Sequence, residues 1–113
     1  MLKEISVHKA TGTWVVRTDN SVLGETRNAL ELTEGNLPPV IYFPREDIGM
    51  AFLEPTHTTT TCPKKGVASY FHLVGRSGQV DDVAWSYETP ADAVSAIAGH
   101  IAFVTGTIHV EKL

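Results

Sequence analysis

Hydrophobic and polar positions alternate along most of this chain with a period near two, and the alternation is often broken. That pattern marks short, half-buried strands joined by turns. Residues 13–18 (TWVVRT) are rich in β-branched and aromatic side chains and run into Asp19-Asn20, a hairpin turn signal. Residues 21–26 (SVLGET) are expected to return antiparallel. Arg27-Asn28 make another turn, and residues 29–33 read as a third strand with Leu30 and Leu32 on one face. Gly35-Asn36 and Pro38-Pro39 then break the chain. The wholly apolar run 40–43 (VIYF) reads as a buried strand stopped by Pro44, and Arg45-Glu46-Asp47 as a single helical turn. Residues 67–74 (VASYFHLV) and 79–87 (QVDDVAWSY) read as hairpin partners around a turn at 75–78.

One segment departs from this period. Thr89 suits a helix N-cap, Pro90 the first helical position, and Asp92 the positive end of the helix dipole. Ala91, Val94, Ile97 and Ala98 share a face at helical spacing, and Gly99 suits a terminator. An α-helix is therefore expected over about 90–99. Residues 100–104 and 107–112 then read as a final hairpin around Gly106. The sum is a mainly β, compact antiparallel domain spanning 1–113, with one late helix packed on it.

Composition narrows the function classes. With 42% apolar and 19% charged residues, the chain can build a core and is not a disordered polymer. Its net charge is -4 and its longest basic run is Lys64-Lys65, so it offers no phosphate-neutralising face and no nucleic-acid partner is expected. No window approaches the ~20 apolar residues that a membrane-spanning helix needs, so no membrane partner is expected either. A single cysteine excludes an internal disulfide and a cysteine-rich zinc site. The lone thiol fits a reducing compartment, and a cytoplasmic protein is expected. The histidines, five in all, form no metal spacing with a carboxylate. Neither metal nor cofactor is expected.

Candidate chemistry concentrates in residues 57–70, HTTTTCPKKGVASY. Cys62 precedes two lysines across Pro63, and nearby cations favour the reactive thiolate; the alternative is a small buried hydrophobe. His57 is the candidate base for Cys62. On a regular strand, residues five apart face opposite sides, so the pair needs the threonine run to bend. Thr58–Thr61 could bind anionic oxygens or form a solvated β edge. Lys65-Gly66 resembles an anion-binding turn in which backbone N–H groups and an ammonium meet an oxyanion. The full phosphate-loop pattern is absent. Arg45 suits bidentate carboxylate or phosphate recognition, or an ion pair with a neighbouring acid. Tyr70 and Trp85 are candidate pocket walls, or core aromatics.

Three runs, PPVIYFPREDI (38–48), TCPKKGVASYF (61–71) and AWSYETPADAVSAIAGHIAF (84–103), resemble the family known as domain of unknown function 427, which also carries a nucleotidyltransferase-like label. WVVRTDNSVLGETRNALEL (14–32) resembles its N-terminal half, so the likeness covers nearly the whole chain. The resemblance implies a compact antiparallel β structure, similar to the β-tent of methionine sulfoxide reductase B and certain small zinc proteins. Those relatives hold zinc through paired cysteines, whereas this chain has Cys62 alone. Lys64 stands where the family often has an aromatic residue, and Phe71 where tryptophan is common. Cys62, Lys65, Gly66 and Tyr70 stay in place.

Three functions follow as expectations. The first is a polar pocket for a small anionic or polar molecule, with Arg45, Lys65, Gly66, Tyr70 and Trp85 binding it. The second is a thiol-dependent or nucleotidyl-transfer enzyme using Cys62 and His57. The third is a structural or interaction module, with edge-strand pairing as the route to a homodimer. Whether any reaction is catalysed stays open at the level of sequence.

Overall fold

A computed structural model describes residues 4–76 and 78–113. Ten strands form three antiparallel sheets. β1 (Ile5–Lys9), β4 (Leu30–Glu34) and β5 (Val40–Tyr42) make one sheet in the order β1-β4-β5. β2 (Trp14–Arg17), β3 (Val22–Thr26) and β10 (His109–Lys112) make a second in the order β10-β2-β3. β6 (Leu53–Cys62), β7 (Gly66–Gly75), β8 (Gly78–Tyr87) and β9 (Ala102–Phe103) make the third, in sequence order. Among the described residues no helix is long and apolar enough to cross a membrane.

The four-stranded sheet separates two cores, and side-chain alternation explains how. Phe71, Ala84 and Phe103 point to one face, where they meet Val16, Leu23, Phe43, Ile48, Ile101 and Ile108. Ala68, Tyr87 and Ala102 point to the other, where they meet Leu32, Tyr42, Val94 and Ile97. The run at 40–43 serves both cores at once. Val40 and Tyr42 belong to the second core and Ile41 and Phe43 to the first, so every position must be apolar. Phe43 and Ile101 exchange backbone hydrogen bonds of 2.8 Å in both directions, stitching the end of β5 to the entry of β9.

The β2–β3 and β7–β8 hairpins form as the pattern predicts, with Trp14 opposite Thr26 and Tyr70 opposite Trp85. Of the turn expected at 75–78, position 77 lies outside the described residues; Gly75 and Gly78 face each other in register. The third strand also forms, but it pairs with β1, a strand the sequence reading missed.

Two expectations need correction. The α-helix expected over 90–99 is a 3-10 segment, Asp92–Ile97, interrupted at Val94 (φ -124°, ψ 24°). Thr89 does not cap it. Ala91 takes the cap position in an extended conformation (φ -59°, ψ 153°), and its amide donates to the Lys65 carbonyl at 3.0 Å. Only Val94 and Ile97 of this segment are buried, while Ala91 and Ala98 are exposed. A spacing of three matches the 3-10 repeat, which stacks i on i+3. The final hairpin does not form either. β9 pairs with β8 and β10 with β2, each a strand earlier in the chain.

The threonine run becomes the edge strand β6, which is kinked. Thr56, His57 and Thr58 all oppose Tyr70, so the register shifts between Pro55 and Thr59. A second shift lies across β7, where residues 81–83 of β8 oppose His72. Asp82 sits there in the left-handed region (φ 50°) and accepts hydrogen bonds from Thr56 (3.0 Å) and Thr58 (2.9 Å). Its own amide donates to His72 Nδ1 at 3.0 Å.

Candidate functional site

The β6–β7 turn places the first functional group. Lys65 donates its amide to the Cys62 carbonyl at 3.2 Å, closing a turn with Pro63 at its second position, where a fixed φ favours it. Gly66 follows at φ 112°, a conformation that L side chains rarely adopt. The chain thereby re-enters β7 with the Lys65 side chain directed at the second core.

There Lys65 Nζ lies 3.2 Å from Glu34, the last residue of β4, and Lys64 Nζ lies 3.7 Å from the same carboxylate. Lys65 lines a hollow of about 230 Å³ whose walls come from four strands: Leu32 and Glu34, Val40 and Tyr42, Tyr70, and Trp85 with Tyr87. Tyr70 and Trp85 are cross-strand neighbours with ring centroids 6.4 Å apart. Tyr42 meets Trp85 edge-on at 6.5 Å, and the indole N–H donates to its hydroxyl at 3.3 Å. Thr60 and the Tyr70 hydroxyl are 3.1 Å apart. Tyr87 is only 5% exposed, and among the described residues its hydroxyl has no hydrogen-bond partner. Among the described residues no buried side-chain polar atom is both sealed and unpaired, so that hydroxyl opens into the hollow.

The ionisable tips converge. Burial, first of all, pushes the Tyr42 phenol up to about 12 against the opposing Trp85 hydrogen bond, with Cys62, Tyr70 and Glu34 adding to the rise. Burial also pushes Tyr87 up to about 12, aided by Tyr42 and opposed by Lys65. Desolvation alone would lower Lys65, but its hydrogen bond to Glu34 and the negative forms of Tyr87 and Cys62 hold it above the ordinary lysine range. Three phenols, a thiol, an ammonium and a carboxylate thus share one corner.

An alkaline transition follows. Below pH ~10 both phenols are protonated in the folded and unfolded chains. Between there and about 12 the unfolded chain ionises while the folded chain holds its protons. Stability therefore falls as pH rises through that window, by up to about 1.4 kcal/mol per pH unit for each phenol. Urea titrations at stepped alkaline pH should show this slope, and Tyr42→Phe should flatten it by one phenol's share.

Of the residues picked out by sequence, Lys65, Tyr70 and Trp85 line this hollow, Gly66 shapes the turn beside it, and half-buried Cys62 lies within electrostatic reach. His57 stands exposed in the kink of β6, is not among the lining residues, and among the described residues makes no hydrogen bond with Cys62. Arg45 lies on the opposite face of the four-stranded sheet. Its Nε donates to the Gly99 carbonyl at 3.0 Å, and its terminal nitrogen donates to Ser86 at 3.1 Å and pairs with Glu88. The guanidinium also sits 5.7 Å from the Phe71 ring centre. Ser86 and Phe71 alternate with Trp85 and Tyr70, so Arg45 joins the first core's side. Replacing it should act on stability. Arg45→Met should cost about 1–2 kcal/mol, since it strands the fully buried Ser86 hydroxyl while the exposed Glu88 pair contributes little. Urea denaturation measures this, and Ser86→Ala added to Arg45→Met should return part of the loss.

Sequence reasoning did not pick out Tyr42, Tyr87 or Glu34 as site residues. One signal was available: Tyr42 is the sole hydroxyl in a wholly apolar run, and a buried tyrosine hydroxyl needs a partner. Among the described residues, no group of three or more His, Cys, Asp or Glu side chains could hold a metal ion.

Fold and site together define a mainly β antiparallel domain with a phenol-rich hollow between two of its sheets. The chain belongs to the family described as "Domain of unknown function (DUF427)", which it matches over residues 6–112. No curated protein matches it.

Proposed function

We propose that the hollow beside Lys65 binds a small molecule through its hydrogen-bond acceptors, with a flat or apolar part against Trp85 and Tyr70. One observation carries this reading: the hydroxyl of the largely buried Tyr87 has no protein partner among the described residues and opens into the hollow that Lys65 also lines. That hydroxyl is available to donate to an acceptor held in the hollow. Tyr42 already accepts from Trp85 and keeps its own proton to donate. The corner therefore offers donors on both sides of Lys65, and an anionic group satisfies them together. Arg45 and His57 take no part in this reading, and Cys62 is a neighbour of the ligand. The half-buried free thiol suits a cytoplasmic setting.

Thermal shift and calorimetric titration with acetate, benzoate and inorganic phosphate test it. An anion that binds should stabilise the native state by about 2.7 kcal/mol at a concentration one hundred times its Kd. Lys65→Met should weaken that binding about tenfold, equivalent to 1.4 kcal/mol, and Tyr87→Phe should weaken it severalfold. Identical titrations for the native chain and Lys65→Met would refute the reading.

A further inference from the structure

A second hollow, of about 550 Å³, lies where the three sheets meet. Glu31 and Ile41 reach it from the first sheet, Trp14 and Val110 from the second, and Trp85 and Phe103 from the third. Its volume falls within the ~300–1,000 Å³ of ordinary small-molecule sites. Its polar inventory is short. Both indole N–H groups are already spent, Trp14 on the Thr11 carbonyl at 3.1 Å and Trp85 on the Tyr42 hydroxyl at 3.3 Å. An indole N–H is the side chain's only donor, so neither ring has one left for an occupant. The polar side chains that remain are Thr105 and Glu31, and half-buried Glu31 is the sole ionisable group in the lining among the described residues. One Glu31 oxygen lies 2.7 Å from His8 Nε2, and the other makes no hydrogen bond among the described residues. A neutral imidazole N–H suffices for the His8 contact and leaves the carboxylate its charge.

We infer that this hollow takes an organic monocation, with its ammonium at the second Glu31 oxygen and its hydrocarbon body among Trp14, Trp85 and Phe103. The inference goes beyond the ligand reading for Lys65 and does not depend on it. The sign of charge follows from the lining. An anion would find no cationic side chain there and would meet the like charge of Glu31. An ammonium instead makes a charge-assisted hydrogen bond to that carboxylate, beside two indoles whose ring faces attract cations. The net charge of -4 draws cations toward the molecule as a whole. The apolar body follows from the rest of the wall, where aliphatic and aromatic side chains reward removing hydrocarbon from water.

Titration with phenylbutylamine and phenylbutanol, followed by heteronuclear NMR, tests it. The two probes share one hydrocarbon body and differ in the terminal group alone. The chain has two tryptophans, and Trp14 lines this hollow but not the first, so its indole signal reports where a probe sits. Phenylbutylamine should move the Trp14 signal and bind about tenfold more tightly than the alcohol, the gain that one ion-paired hydrogen bond of ~1.4 kcal/mol supplies. Glu31→Gln, which keeps the shape and removes the charge, should abolish that preference. Thr105→Lys adds a like charge to the lining from an exposed position and should do the same if Glu31→Gln fails to fold. Lys65→Met should leave amine binding unchanged, because Lys65 does not line this hollow. Equal affinities for the two probes, or a preference that survives a folded charge variant, would overturn the cation. A Trp14 signal that neither probe moves, or amine binding lost in Lys65→Met, would overturn the second hollow as the site. Anion binding at Lys65 is measured separately by the acetate, benzoate and phosphate titrations, so either reading can fail while the other stands.

Discussion

Phe43→Ala should destabilise the protein by about 4 kcal/mol, the size typical of a buried phenylalanine truncation. Phe43 is fully buried, packs edge-on against Phe103 at 5.9 Å, and carries the backbone pair that joins β5 to Ile101. Its neighbours cannot collapse into the gap without moving that junction, so the cavity persists. Natural domains hold only about 5–15 kcal/mol in total, so the variant should sit near its unfolding threshold. Urea midpoints at unchanged slope measure the loss. Phe43→Leu, which keeps most of the volume, should lose less than half as much. A truncation cost below 1 kcal/mol would mean that the two cores are less tightly joined at this point than the geometry shows.

Gly24→Ala should cost about 3 kcal/mol, near the upper end for adding one methyl group to a packed site. A Cβ at position 24 would stand 2.6 Å from the Asp47 carbonyl oxygen and 2.5 Å from Ile48 Cδ1. The side chain of Ile48 could turn aside, but the carbonyl is backbone. It belongs to the 3-10 turn Arg45–Asp47, which is locked to β3 by the bond from the Gly49 amide to the Leu23 carbonyl at 2.8 Å. Gly75→Ala is the matched control. Nothing lies within 4 Å of a Cβ there, and the change should move stability by less than ~1 kcal/mol. Similar costs for the two variants would show that the crowding at position 24 is relieved by a small backbone shift.

Local pattern carried the strands whose partners lie nearby. The β2–β3 and β7–β8 hairpins were legible because alternation and turn residues lie within one short stretch of chain. β1 was not, although Ile5 and Val7 alternate with Ser6 and His8, because its partner β4 begins more than twenty residues later. The same cause undid the last hairpin. β9 and β10 sit side by side in sequence, but β9 pairs with β8 and β10 with β2. The late segment carried helix signals at Thr89, Pro90 and Gly99, yet the Ala91 amide was already committed to Lys65. A tertiary bond overrode the local preference.

The candidate site divides in the same way. Lys65, Tyr70 and Trp85 were visible as chemistry-bearing residues near a turn, and one sheet face gathers them. Tyr42 and Glu34 come from the facing sheet, and no spacing in the chain announces that they arrive at the same corner. Arg45 looked equally suited to a ligand. Only the alternation of Trp85 with Ser86, read on the folded sheet, places it behind the wall.

The kink held by Asp82 has a consequence for solubility. A straight, threonine-rich rim ten residues long would expose an even row of amides and carbonyls, the template on which fibrils and mispaired oligomers grow. Bent at Thr56–Thr58 and tied to Asp82 from across β7, that rim offers an incoming chain no continuous ladder. One carboxylate thus holds the bend in this exposed rim.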